Sequence, residues 1–361
     1  MPTPIVTIDK HPDFKVLEQD PFNGGAPAAR LVEQFLTPTD RFFVRNHAPI
    51  PDVDAAAYRL TVEGLVKTPL ALSLDDLRRD FERVRLVAAM QCAGNRRVEL
   101  QRLAPIPGEL IWDTEAVGNA EWSGWRLRDV LTAAGVTADD GDLHAAFEGL
   151  DVVEAHRQGF GGSIPLRKAL HGDVLLADTM NGAPLPPAHG YPLRVVVPGY
   201  IGARSVKWLA RIIVQEMPSA NYYQAHAYKL FAGDVTPETV DWAAGMMLGE
   251  LNVNAIIAQI EPGAGGIIAR GIAIAGERQV ERVEVSADGM HWLQAELLDP
   301  PSRYGWRRWQ ARIALEPGDH EIMARAWDSA AATQPERLES VWNFKGYMNN
   351  AWHRVKVTVA G

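Results

Sequence analysis

The sequence predicts an α+β chain, with a mixed α/β domain over residues 1–245 and an all-β sandwich over 246–361. Three observations carry this expectation. Leu127, Val130, Leu131 and Ala134 recur at helical spacing, and Gly135 supplies a stop. An alternating strand from Tyr58 and a buried strand over 193–197 flank that helix, so strands and helices are interspersed in the first part of the chain. After about residue 245 helical spacing disappears, and short alternating stretches follow one another between turn residues. A length of 361 residues allows two domains, each with a core of its own.

Taken in order, the first 40 residues are punctuated by Pro and Gly and are expected to wrap over the surface. Tyr58, Leu60 and Val62 alternate with Arg59, Thr61 and Glu63 as in a half-buried strand. Ser73 with Asp76 three residues later marks the start of a helix over 74–81. Residues 193–197 read as a buried strand, into which His189 and Arg194 lead and which Pro198-Gly199 closes. In the second domain strands are expected at 255–260, 266–275, 280–287, 292–298, 308–315, 322–327 and 355–359, with a turn at Asp288-Gly289.

Composition removes several classes of function. The net charge of −9, with no basic stripe to offset it, argues against a nucleic-acid partner. No apolar run approaches the roughly 20 residues of a membrane span, so no membrane partner is expected. Residues 1–25 hold no basic-then-apolar leader and no twin arginine, which places the chain in the cytoplasm as written, or in the periplasm if a leader has been removed. A single cysteine excludes an internal disulfide, a CxxC zinc site, an iron–sulfur cluster and CxxCH haem attachment. Gly159–Gly162 and Gly263–Gly266 fail the dinucleotide fingerprint because Ile164 and Ile268 occupy the sixth position, so both read as turns. His320-Glu321 lacks the second histidine of a zinc-protease helix, and Trp306-Arg307-Arg308-Trp309 reads as strand packing.

Cys92 stands in the run Gln91-Cys92-Ala93-Gly94-Asn95-Arg96-Arg97. Two following arginines favour the thiolate, the form that binds soft metals or attacks electrophiles. The same residue also reads as a small buried apolar side chain. Three further runs are too polar or too rich in Gly and Pro for ordinary core. Arg45-Asn46-His47 lies between apolar residues and prolines, His189 and Arg194 lead into the buried strand, and 198–207 is a glycine-punctuated loop ending in Ser205-Val206-Lys207. The loop amides with Lys207 suit a phosphate. Each run alone has a packing explanation; together they supply a soft-metal thiolate and local positive charge.

These runs resemble the sulfite oxidase family of molybdenum enzymes, in particular its haem-free plant form. The matching stretches are FFVRNHAPIP (42–51), QCAGNRR (91–97), GNAEWSGWRLRDVL (118–131), LLADTMNGAPLP (175–186), HGYPLRVVVPGYIGARSVKWL (189–209) and ESVWNFKGYMNNAWHRV (339–355). They cover nearly the whole chain in family order. The resemblance implies a molybdopterin-binding domain followed by an immunoglobulin-like dimerisation domain, and hence a homodimer. It makes Cys92 the one protein ligand to molybdenum, the cofactor's dithiolene and oxygens completing the shell. Asn46, His47, His189, Arg194, Ser205 and Lys207 fall on positions that hold the pyranopterin and its phosphate, with Asp151 beside them. Arg45, Arg97, Trp112 and Tyr228 fall on positions lining the substrate pocket, although Trp112 and Tyr228 also suit simple packing.

One residue departs from the eukaryotic pattern: Lys345 stands where arginine is usual. Lysine keeps the charge but loses the planar fork, which weakens directional control of an anion and points to a bacterial subtype. The function implied is oxidation of sulfite to sulfate, with electrons leaving to an external acceptor, a cytochrome or dioxygen. The alternatives are a nitrate reductase-like oxidoreductase of the same family or a non-catalytic molybdopterin-binding protein.

Overall fold

Leu60 and Val62 are fully buried on strand Leu60–Gly64, while Thr61 and Glu63 are partly exposed, so the alternation in the sequence selects the face that meets the core. The computed structural model describes residues 8–360; residues 1–7, on which part of the leader reading rests, and Gly361 lie outside the described residues. Strand Leu60–Gly64 runs parallel to Leu209–Gln215 in a five-stranded sheet ordered Leu70–Leu72, Leu60–Gly64, Leu209–Gln215, His144–Gly149, Gly161–Pro165. A parallel pair needs a long connection, and here it contains a second, antiparallel sheet. That sheet is ordered Ala183–Pro184, Leu175–Met180, Val117–Arg126, Arg83–Gln91, with Arg194–Val196 also pairing with Leu175–Met180.

The two expected helices are present. Ser73 accepts the Asp76 amide at 3.1 Å and the Asp76 carboxylate accepts the Ser73 amide at 2.9 Å, a reciprocal cap on helix Leu74–Asp80. Helix Leu127–Ala133 buries Leu127, Val130 and Leu131 completely, each contributing about 1.5–3 kcal/mol relative to exposure. Gly135 then takes φ +83°, a left-handed turn that a side chain would strain.

The sandwich begins at Asn254. One sheet is ordered Asn254–Gly263, Gly266–Ile274, Arg307–Ala314, Glu296–Leu297, and the other Leu293–Gln294, Val280–Ser286, Gly318–Asp328, His353–Val359. The single strand expected at 292–298 is two short strands in opposite sheets, because buried Ala295 marks the point where the chain crosses between them. Trp306 and Trp309 are fully buried, in keeping with packing. Gly271 makes room for Trp309, since a Cβ there would lie 2.4 Å from the indole.

The N-terminal segment does not simply wrap over the surface. Lys15–Gln19 and Phe22–Gly25 form a hairpin, and Gly24 bridges to Val44 through two backbone hydrogen bonds of 3.1 and 2.8 Å. Asn23 is fully buried beneath the Arg45 segment. Apolar residues such as Phe14 and Leu31 bury better than they solvate, so the Pro and Gly punctuation shapes a packed strap.

Candidate active site

Strand Arg83–Gln91 ends at Cys92, whose amide donates to the Ala116 carbonyl at 2.9 Å and whose carbonyl accepts the Asn95 amide at 3.0 Å. The chain then turns through Arg96 at φ +65° into the short helix Arg97–Leu100. That left-handed residue sends the two neighbouring arginines in different directions. Arg96 is fully buried away from Cys92, in a bidentate pair with Glu99 at 2.7 and 2.8 Å, and donates to Asn254 Oδ1 and the Ala351 carbonyl. It joins the two domains. Its charge is matched there by Glu99.

Cys92 lines a cavity of about 650 Å³ between atoms, part of it open to solvent, together with Arg45, Asn46, His47, Asp151, His189, Arg194, Ser205, Lys207 and Tyr228. Arg194 donates to the carbonyls of His189 and Ser205 at 3.0 and 2.9 Å and lies over Trp122. Lys207 donates to Asn46 Oδ1 and to the Ala188 carbonyl. Arg45 donates to the Asn46 carbonyl and faces Asn23 Oδ1 at 3.4 Å. Among the described residues none of these three cations forms an ion pair with a carboxylate.

Their protonation follows from burial. Burial lowers Arg194 to about 9. Burial, then Arg194, pushes Lys207 well below its ordinary value, with Asp151 pulling the other way. Asp151 is itself raised to about 6 by burial, against the pull of Lys207 and the Phe160 amide. Burial opposes charge on Arg45 as well, but Tyr228, Cys92, Tyr347 and Glu109 together raise it above its ordinary value. Burial and the surrounding cations hold His47 and His189 well below the usual imidazole range, so both are neutral near pH 7.

A π-helical turn, Tyr223–Ala227, leads directly into Tyr228. The Tyr228 hydroxyl and His47 Nε2 are 2.8 Å apart, with the tautomer deciding which donates. His47 stacks on Phe160 with centroids 5.2 Å apart. Burial raises the Tyr228 hydroxyl, so it keeps its proton at neutral pH.

Three expected pocket residues stand outside the cavity lining. Trp112 is fully buried and meets Phe43 edge-on at 6.4 Å, behind the wall and in the same apolar cluster as Cys92. Arg97 and Lys345 both turn onto Glu109, Arg97 at 3.3 Å. Arg97 also lies over Tyr347, which stacks on Tyr228 with centroids 5.4 Å apart, so the ion cluster sits one aromatic layer from the cavity. In the loop 198–207 the amides of Tyr200, Ile201, Arg204 and Ser205 donate to protein carbonyls, while Gly202 and Ala203 line the cavity beside Ser205 and Lys207. Ser205 Oγ accepts the Val197 amide at 3.0 Å and keeps its own proton to donate.

Several participants went unnoticed in the sequence. Lys10 donates to the carbonyls of Thr39 and Phe42 and lies 2.8 Å from His189 Nε2; burial lowers it to about 7. Nothing in the N-terminal run marks it. Glu109 carries no motif, whereas Tyr347 lies in the matching run 339–355, two residues after Lys345, and could have been suspected. Arg204 is fully buried with both Nη atoms lacking an acceptor, and adds to the positive field.

The donor set suits an anionic cofactor that also carries a soft metal. Arg45, Arg194 and Lys207 line the cavity against one carboxylate, Asp151, and one buried thiol faces the same space. A metal held at Cys92 would take its other ligands from the cofactor, since among the described residues no cluster of three or more His, Cys, Asp or Glu is placed to bind one.

Residues 47–223 match the oxidoreductase molybdopterin binding domain, and residues 246–360 match the Mo-co oxidoreductase dimerisation domain. The chain is 43% identical to the sulfite oxidase of Gallus gallus over 359 residues, covering 96% of this chain and 78% of that one. It is 37% identical to the sulfite oxidase of Arabidopsis thaliana over 372 residues, covering 96% and 94%. The sulfane dehydrogenase SoxCD from Paracoccus pantotrophus superposes with a TM-score of 0.80 at 26% identity, covering 99% of this chain and 87% of that one. A thiol cavity walled by unpaired cations, with both family domains matched in order, leaves one assignment: the chain belongs to the sulfite oxidase family of molybdopterin oxidoreductases.

Proposed function

We infer that the protein oxidises sulfite to sulfate, with a molybdenum–pyranopterin cofactor in the cavity and Cys92 as its one protein ligand to the metal. The carrying observation is the meeting of a single buried thiol with cations that have no carboxylate partner. A polarizable thiolate suits a soft, redox-active metal. Asn46, His47, His189, Arg194, Ser205 and Lys207 would hold the pterin and its phosphate, and Asp151 would hold its polar edge. When bound, the cofactor supplies the two-electron oxygen-atom transfer.

The chain's own groups bind, orient and exclude water. Arg45 presents N–H donors to an oxyanion beside Cys92, where burial strengthens each charge-assisted bond. With His47 Nε2–H donating to its oxygen, the protonated Tyr228 hydroxyl donates to an oxygen of the same anion. Phe42, Phe43 and Phe160 form the dry part of the wall, with Trp112 behind Phe43. Arg97 and Lys345 supply positive charge from one layer farther out. Local positive charge draws a dianion toward a chain that is negative overall.

The acceptor is external, a cytochrome or dioxygen, and stopped-flow reoxidation with each distinguishes them. The dimerisation domain at 246–360 supports a homodimer, and Lys345 supports a bacterial subtype. No helix among the described residues is long and apolar enough to cross a membrane. Molybdenum analysis with a ferricyanide-coupled assay on sulfite and a reduced-viologen assay on nitrate, for wild type and Cys92→Ser, tests the reading. Sulfite turnover that vanishes in Cys92→Ser is expected. A molybdenum-loaded wild type that reduces nitrate and leaves sulfite untouched would overturn it.

A further inference from the structure

We propose that Glu109 is a specificity-determining residue of the anion site, an internal carboxylate that offsets the charge of Arg97 and Lys345 behind Tyr347. The proposal rests on the sulfite-oxidising reading above. Three cations would serve the anion: Arg45 at the cavity wall, and Arg97 and Lys345 behind Tyr347. Two of the three are taken by Glu109. Its Oε2 lies 3.3 Å from Arg97 Nη2, and its Oε1 pairs with Lys345 Nζ. The carboxylate is only 13% exposed, so the pairing is weakly screened by solvent.

Glu109 is not needed to hold Arg97 in position. The Arg97 Nε donates to the Lys345 carbonyl at 3.1 Å and Nη1 to the Leu110 carbonyl at 2.5 Å. The side chain also lies between two glycines: a Cβ on Gly94 would fall 2.6 Å from the Arg97 guanidinium carbon, and one on Gly346 2.7 Å from Arg97 Cγ. Tyr347 supports the guanidinium from a third side at 5.0 Å. What Glu109 adds is negative charge. Its field reaches the cavity, since it helps raise Arg45 and acts on Tyr228 and Tyr347.

An anion in the cavity therefore feels Arg97 and Lys345 with their charge already offset by this carboxylate, one aromatic layer away. Like charges in a partly buried site repel, and the penalty is larger for a dianion than for a monoanion or a neutral sulfur compound. Glu109 thus lowers affinity for sulfite and eases departure of sulfate, while leaving the reacting atoms untouched.

Glu109→Gln keeps the shape and removes the charge. In molybdenum-loaded enzyme we expect KM for sulfite to fall roughly tenfold with kcat within about twofold, and sulfate inhibition to tighten similarly. Direct calorimetric titration of the same two proteins with sulfate gives a readout independent of turnover, so the proposal stands or falls even if sulfite is not the substrate. Glu109→Asp, which retracts the carboxylate by one methylene, is read in the same way if Glu109→Gln does not fold. In that variant a smaller fall in both constants is expected. Unchanged or weaker sulfite KM and sulfate affinity in the folded variant would overturn the proposal and leave Glu109 as a structural anchor of Arg97.

Discussion

The Tyr228 hydroxyl and the His47 imidazole meet at 2.8 Å on the wall that also carries Cys92 and Arg45. Burial keeps the phenol protonated and the imidazole neutral; in the tautomer whose Nε2–H donates to the phenol oxygen, the Tyr228 hydroxyl is free to donate into the cavity without adding charge. Tyr228→Phe removes that donor and keeps the ring against Tyr347. A loss of about 100-fold in sulfite kcat/KM is expected, the scale of a single oxyanion donor. Steady-state kinetics on protein of unchanged molybdenum content check it; a loss under twofold would make Tyr228 a packing residue.

Lys10 reaches the cavity-lining His189 from the N-terminal strap, with two carbonyls as its other partners. Burial lowers it from 10.5 to about 7, so the unfolded chain binds more protons than the native one between those values, and its stability rises with pH across that window. Lys10→Met should remove this slope and stabilise cofactor-free protein at neutral pH. The same change should reduce the pterin retained after dialysis, read by fluorescence of the released pterin. Opposite signs in the two measurements identify a cofactor-binding cation.

Asp151 offers a second pH signature. Its folded-state value is raised from 3.8 to about 6, so its contribution to stability is complete below about pH 4 and is lost as pH rises through 6. Asp151→Asn removes the cost of a buried, incompletely paired charge. The variant should match wild type at pH 4 and exceed it at pH 7.5, by at most about 3 kcal/mol. Denaturant titrations of cofactor-free protein at the two pH values test this.

Arg96 links the domains through Glu99, Asn254 and the Ala351 carbonyl. Arg96→Ala strands a buried carboxylate and should cost about 3–5 kcal/mol. Arg96→Met with Glu99→Leu removes both charges and should recover most of the loss. Chemical denaturation of the single and double variants measures the difference.

Periodicity made the helices 74–80 and 127–133 and most sandwich strands readable, because burying one face of a helix or strand leaves its spacing in the chain. Motif runs likewise marked Cys92, Arg45, His189 and Lys207 as companions. The ion cluster was not readable, since Glu109 lies in an unremarkable loop and gains meaning only beside Arg97 and Lys345, the latter 236 residues later by the numbering. Nor could the roles of Arg96 and Arg97 be told apart from adjacency. The left-handed backbone at Arg96 separates them, one to the domain joint and one to Glu109.

Local chemistry alone, written in residue types and their spacing, determined the two domains, the lone thiol and the surplus of cations around it. The tertiary structure decided which of those cations remain unpaired at the cavity and which are already matched by a carboxylate. Charge pairing depends on distances between residues far apart in the chain, and those distances exist only once the chain has folded.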